Sequence, residues 1–242
     1  MPALVNGVIL RLTFRATMGR RRALLFALPA IILIAVAGVL TATARSGSWQ
    51  AEFLGDFGFS VVLPLTSLII GTSVLGAEID DGSIVHLLAT PVPRAQVVVS
   101  KFAVAAALTI AFGAVPEYLA AAIAKGPSSG LAIGLLAGAL VAAVIYNAVF
   151  VMLSVLTTRA IAIGLLYLVV WEGLLANLVP GVGLLSVSQY SLSVANSIAH
   201  YPALHAHLGL GTAAALAVIV TGAALAVGTR RLSRFSITGD AS

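Results

Sequence analysis

His205 and His207, one residue apart, have the spacing of a metal-binding H-x-H, and His200 lies just upstream. "DDG" at Asp80–Gly82 has the acids of a divalent-cation site, and Glu117 and Glu172 each interrupt an apolar run. Most of this chemistry fails when the spacing is followed further. No second aspartate pair follows Asp80 and Asp81 at helical spacing, and the three late histidines read as polar residues of an exposed loop. A serine hydrolase would need a histidine beside its serine at one depth, but His86, His200, His205 and His207 all lie in loops. A phosphate-binding loop needs G-x-x-x-x-G-K-[ST], and the only lysines, Lys101 in "VVSKFA" and Lys125 in "AIAKGP", have other neighbours. With no cysteine there is no thiolate metal site, disulfide or cysteine nucleophile. No catalytic constellation and no metal site survives; the chain reads as no enzyme by itself.

The elements that must carry these residues are apolar throughout. The 242 residues are 60% hydrophobic and 9% charged, against about 25% charged in a soluble domain; mean hydropathy is +1.12. Six runs are long enough to cross a bilayer core of about 30 Å: Ala23–Thr43, Phe57–Ala77, Val97–Ala124, Leu131–Leu156, Ala160–Leu178 and Leu208–Gly228. The fold class is an all-α integral membrane protein of six transmembrane helices. The first run ends in "TATA", as a signal peptide does, but is longer than a cleaved signal's apolar region of about 7–15 residues and reads as a retained span. With the N-terminus inside, 11 of the 13 basic residues fall inside and only Arg45 and Lys125 outside, as the positive-inside rule requires. Both termini are then cytoplasmic. The net charge of +5 belongs to this pattern and not to a nucleic-acid surface.

Ahead of the first span, Leu4, Val5, Val8, Ile9, Leu12 and Ala16 make an apolar arc at helical spacing. Arg11, Arg15, Arg20, Arg21 and Arg22 anchor it to lipid phosphates, so residues 1–22 read as an interfacial helix on the inner leaflet. Pro29, Pro64 and Pro116 interrupt spans, which membrane helices tolerate when neighbours satisfy the freed carbonyls. Gly130, Gly134 and Gly138 form a ridge of small residues that permits close helix approach, within one subunit or between two.

One stretch departs from this composition: "GAEIDDGSIVHLLATPVPRAQVVVSK", Gly76 to Lys101. It is the inner connection between the second and third spans. Asp80 or Asp81 can cap a short helix over Ser83–Ala89, and Pro91 ends it by restricting Thr90. Ile84, Leu87 and Leu88 share one side, and leucines exposed on such a loop call for a partner that covers them.

At these residues the sequence resembles the permease subunits of type-2 ABC exporters. Glu78, Gly82, Ser83, Leu87, Leu88, Thr90, Pro91, Arg94 and Lys101 follow the order of that family's signature, with Ser83 and Thr90 keeping the hydroxyl of the commoner threonine and serine. The likeness runs over the whole chain, and "YLVVWEGLLANLVPG", Tyr167–Gly181, is similar to actinobacterial members. The resemblance implies one transmembrane domain over residues 1–242, with a coupling loop at 78–94 and an extracellular loop at 179–207. It implies that Glu78, Asp81, Gly82, Ser83, Ile84, Leu87, Leu88, Pro91, Arg94 and, in the other inner turn, Arg159 contact a separate ATPase subunit. The chain would then carry no cofactor; ATP and Mg would be bound by that partner. The remaining partners are a second permease copy or paralogue and the lipid bilayer of a bacterial plasma membrane.

Glu172 lies 13 residues beyond Arg159, about 20 Å up a helix, close to Trp171 and Tyr167. These three are candidates for the substrate path. Glu117 is a fourth, 16 residues beyond Lys101 and about 24 Å up, which puts it at the outer interface. Pro180–His207 is too polar for a further span and is expected to form short helices at the outer surface; the resemblance implies a short outer re-entrant segment there, a lid over the exit. The function implied is ATP-driven export of an amphiphilic, drug-like or lipid substrate. The alternatives are a proton-coupled secondary transporter using Glu172 and Glu117, which leaves the coupling stretch unexplained, and a membrane enzyme or scaffold.

Overall fold

The structure, a computed structural model, describes residues 7–43, 49–80, 92–178, 182–201, 204 and 208–233. Every regular element among them is helical: α1 (Gly7–Thr17), α2 (Arg20–Thr43), α3 (49–80), α4 (Arg94–Lys125), α5 (Gly130–Leu156), α6 (160–178), a 3-10 turn (Val182–Leu185), α7 (Val187–Ala199) and α8 (Leu210–Ser233). α2, α3, α4, α5 and α8 are long and apolar enough to cross a membrane. The fifth expected span falls on α6, whose apolar stretch Ala160–Leu175 is shorter than these. The chain is an all-α integral membrane protein.

Of the three prolines expected to interrupt spans, Pro64 and Pro116 are accommodated by wide turns. α3 begins at Trp49, eight residues before the expected Phe57, and winds as a π-helix over Leu54–Val62, with Pro64 just beyond. α4 does the same over Ile110–Ala114, ahead of Pro116. A proline lacks the N–H for the i−4 carbonyl and its ring pushes that carbonyl away; widening the preceding turn relieves the clash without breaking the helix. A third π stretch, Tyr167–Leu175 in α6, contains no proline and carries Glu172.

α5 is the centre of the bundle, with α3, α4, α7 and α8 packed around it. Tyr146, Asn147 and Phe150 are fully buried on it, and the Tyr146 and Phe150 rings stack at 5.9 Å. The glycine ridge serves packing inside this one subunit. A Cβ at Gly134 would stand 2.5 Å from Ala195 O, and one at Gly138 2.5 Å from Ser191 O, both on α7. Gly130 is looser, with Ala199 O at 3.5 Å.

That seam corrects how far in the expected outer re-entrant segment reaches. α7 is not a surface helix: Ser186, Val187, Ser188, Gln189, Tyr190, Ser191, Leu192 and Ser193 are all buried. Its polarity is neutralised locally. Ser191 and Ser193 donate to the carbonyls of Val187 and Gln189 one turn back, so a serine-rich helix can be buried without seeking water.

The connections have plain local causes. Gly126 ends α4 at φ +96°, a backbone region that glycine alone takes without strain, and its N–H returns to Ala122 O. Ser129 caps α5 by accepting from Ala132 N–H at 3.2 Å. In the tight turn to α6, Thr157 Oγ1 accepts from Arg159 N–H at 3.1 Å. His200 ends α7 in the left-handed region, its N–H on Asn196 O. α1 is present as expected, but Ile9, Thr13 and Thr17 face the bundle while Val8, Leu12, Arg11 and Arg15 stay exposed. Only part of the apolar arc is therefore free to meet lipid; Leu4 and Val5 lie outside the described residues.

Candidate functional site

The best-defined polar constellation is built on Glu172. Its carboxylate is buried and its donors include Tyr167 Oη at 2.9 Å, Ser186 Oγ at 2.6 Å, Ser188 Oγ at 2.9 Å, and the N–H groups of Val187 at 2.8 Å and Ser188 at 3.4 Å. All of these except Tyr167 come from the start of α7. A helix start carries unpaired N–H groups and a partial positive charge, and here a carboxylate from α6 neutralises both. Trp171 Nε1 donates to Leu185 O at 3.3 Å and Tyr190 Oη to Leu184 O at 2.7 Å, so the 3-10 turn is tied on both sides. The sequence brings Glu172, Trp171 and Tyr167 together as expected. It did not bring in Ser186, Val187 and Ser188, although "SVSQ" at 186–189 has the serine and glutamine of a helix-capping box.

Glu117 is apart from this group. It lies two turns before the Lys125 end of α4 and is fully enclosed by protein, with neither carboxylate oxygen bonded to any described residue. Its carboxylate rests on Gly58, in the π stretch of α3, in the space that a Cβ at Gly58 would take. Burial of a carboxylate without donors is costly, so this contact is a weak point of the bundle. Asn147 joins three helices in the core: its Nδ2 donates to Thr109 Oγ1 of α4 at 2.8 Å and to Ala143 O at 2.7 Å, while Oδ1, facing Gly71 of α3, accepts from no described residue.

At the Arg159 end, Lys101 is almost fully buried and donates to Val74 O at 3.0 Å, tying α4 to α3 just before the polar connection. Arg94 opens α4, half-buried, and Glu78 lies in the last turn of α3. Asp81, Gly82, Ser83, Ile84, Leu87, Leu88 and Pro91 lie outside the described residues, as do His86, His205 and His207. Arg20, Arg21 and Arg22 form the first turn of α2, and Arg11 and Arg15 are exposed on α1.

The same end holds a pocket of about 570 Å³ between α2, α3 and the start of α6. Leu25, Phe26, Ile69 and Ile161 give it an apolar wall, and Thr157, Thr158 and the exposed Arg159 line it at the α5–α6 turn. Ser73 closes its hydroxyl on Ile70 O and Thr72 on Leu68 O, which leaves the wall beneath the turn without free donors. Among the described residues, the pocket sets the Arg159 guanidinium at the turn above apolar walls.

A family model described as an ABC-2 family transporter protein matches residues 18–184, from the end of α1 to the 3-10 turn. No curated protein matches the chain.

Proposed function

Since the chain belongs to the ABC-2 transporter family and is a permease subunit of an ABC transporter, we propose that it exports an amphiphile from the cell, driven by ATP bound with Mg on separate ATPase subunits. Family members work with such subunits. Neither lysine of this chain has the surroundings of a phosphate-binding loop, which supports placing hydrolysis on the partner. Two permease chains, identical or paralogous, would face two ATPases. ATP binding would close the ATPase pair and push the 78–94 connections together, with Leu87 and Leu88 as the buried contact and Glu78, Asp81, Arg94 and Arg159 fixing its register. In a plasma membrane with both termini inside, the Arg159 end is cytoplasmic.

The observation that carries the substrate class is the pocket between α2, α3 and α6, with Arg159 at the turn above apolar walls. An amphiphile in the inner leaflet reaches such a site sideways, tail first, with an anionic or strongly accepting head on the guanidinium. The experiment is ATP hydrolysis in proteoliposomes. The chain alone should hydrolyse nothing; with its ATPase, an amphiphile should stimulate hydrolysis. Ala162→Trp, which fills the pocket from an exposed position, should abolish the stimulation and leave basal hydrolysis in place. Hydrolysis by the chain alone would overturn the division of labour, and unaltered stimulation in Ala162→Trp would remove the pocket from the path.

A further inference from the structure

α7 starts inside the bundle. Its Ser191 lies against Gly138, eight residues from the Gly130 end of α5, which is about 12 Å along the helix. The chain therefore dips in through 182–185 and climbs back out along α5. A helix beginning at that depth presents its first N–H groups where no water can receive them, and each unsatisfied group is expensive in a bilayer core. The sequence answers with an anion from another helix, Glu172, and Ser186, Val187 and Ser188 all point donors at it.

The long side of α7 contrasts with its end. Against α5 it shows Ser191, Ala195 and Ala199, and α5 answers with Gly138, Gly134 and Gly130. Ser191, Ser193 and Ser197 spend their hydroxyls on carbonyls of α7 itself. A smooth seam of small residues fixes how close the two helices come. It sets their register along the axis only weakly, because there is little side-chain relief to interlock. The charged knot at the helix start supplies what the seam lacks.

We propose that Glu172 is a positioning residue for transport: its negative charge, docked on the start of α7, sets the depth at which this re-entrant helix seats and so holds the Lys125 end of the bundle closed. Release of the knot would let α7 move along the glycine seam. The functional half of this statement rests on the transporter reading above; the structural half does not. It assigns Glu172 a task other than contact with substrate, and the two are separable by moving the charge.

The natural chain has no cysteine, so single cysteines report accessibility directly. Ser193→Cys places one on buried α7, and Ala105→Cys places a control in the core of α4. Both should resist a membrane-impermeant thiol reagent in the otherwise unaltered chain. Glu172→Gln turns a donor, the amide, toward helix N–H groups. It should speed labelling at Ser193→Cys by roughly tenfold or more, the effect of losing a charge-assisted hydrogen bond on a local opening, while Ala105→Cys stays protected. Adding Ser186→Asp returns a carboxylate to the same helix start from its own cap position and should restore protection. Unchanged labelling in Glu172→Gln overturns the proposal. Should both cysteines label, the single variant has unfolded, and the double variant decides: protection at both sites supports the proposal, continued labelling refutes it. In complex with its ATPase in vesicles containing NBD-labelled phosphatidylglycerol, Glu172→Gln should lower probe movement per ATP and Ser186→Asp should recover it. Transport lost in Glu172→Gln and not recovered, with α7 reseated, would make Glu172 a substrate contact. If no variant and not the parent moves any amphiphilic probe, the transporter reading fails while the labelling result still stands.

Discussion

The α5–α7 seam makes a graded prediction within one helix face. At Gly134 an added Cβ meets Ala195 O at 2.5 Å, Ala199 Cβ at 2.8 Å and Ala199 N at 3.0 Å. Two of these three atoms are backbone, so no rotamer change relieves them and α7 must move away as a body. Overpacking of this kind costs about 1–3 kcal/mol, against which alanine gains about 1 kcal/mol over glycine in a helix. Gly130 is the internal control, because its nearest atoms lie at 3.5–3.7 Å, ordinary contact distance, leaving only the alanine gain. The two variants should therefore differ by about 1–3 kcal/mol, or roughly 2–12 °C of melting temperature for a chain of this length. Gly138→Ala, facing Ser191 O at 2.5 Å and Phe59 Cζ at 2.9 Å, should group with Gly134→Ala. The assay is thermal unfolding of the purified full chain in one detergent, followed by tryptophan fluorescence. Gly134→Ala melting at or above Gly130→Ala would show that α7 does not pack where the seam places it.

Two further outcomes rest on other parts of the molecule. Gly58→Ala should destabilise the bundle by driving its new methyl into the Glu117 carboxylate, and Glu117→Ala should relieve that cost, giving a coupling of about 0.5–3 kcal/mol in a double-mutant thermal cycle; Glu117→Met alone should raise stability, since it removes a buried carboxylate without donors. For orientation, reporter tags after Ala44 and at His205 should be found outside, with tags at Ser83 and Ser242 inside, and a tag at Ser83 found outside would remove the coupling role from that connection.

The spans were legible because a bilayer leaves hydropathy little freedom: twenty apolar residues in a row have few other uses. α2, α4, α5 and α8 appear near where composition puts them. Start points were less legible, as at α3, where Trp49, Glu52 and Asp56 look like a loop but continue the helix with the π stretch that Pro64 accompanies. The depth of α7, expected only as a short re-entrant segment at the outer surface, was hidden by its own serines, because nothing in composition shows that their hydroxyls return to their own backbone. A signal was present all the same: Ser191, Ala195 and Ala199 repeat every four residues, as do Gly130, Gly134 and Gly138, and two such stripes fit each other. Glu172 was singled out by type and depth. Its use as a counter-charge for a helix start depends on contacts 14 to 16 residues away in sequence, which no local pattern announces. The ATPase contact was read from a motif, and Arg94, Lys101 and the last turn of α3 bracket that connection in the fold.

Coupling to a separate ATPase is the central claim, and co-purification tests it most directly. The complex is extracted from membranes through a tag on this chain, and ATPase recovery and hydrolysis are compared between the parent and Leu87→Ala with Leu88→Ala. Truncating a buried leucine costs about 2–5 kcal/mol, so the double variant should insert normally yet lose most of the bound ATPase, or keep it with hydrolysis no longer raised by amphiphile. Leu87→Asp with Leu88→Asp should be worse, because it carries unpaired charge into an apolar contact. Full recovery of the ATPase with undiminished stimulation in both variants would contradict the account.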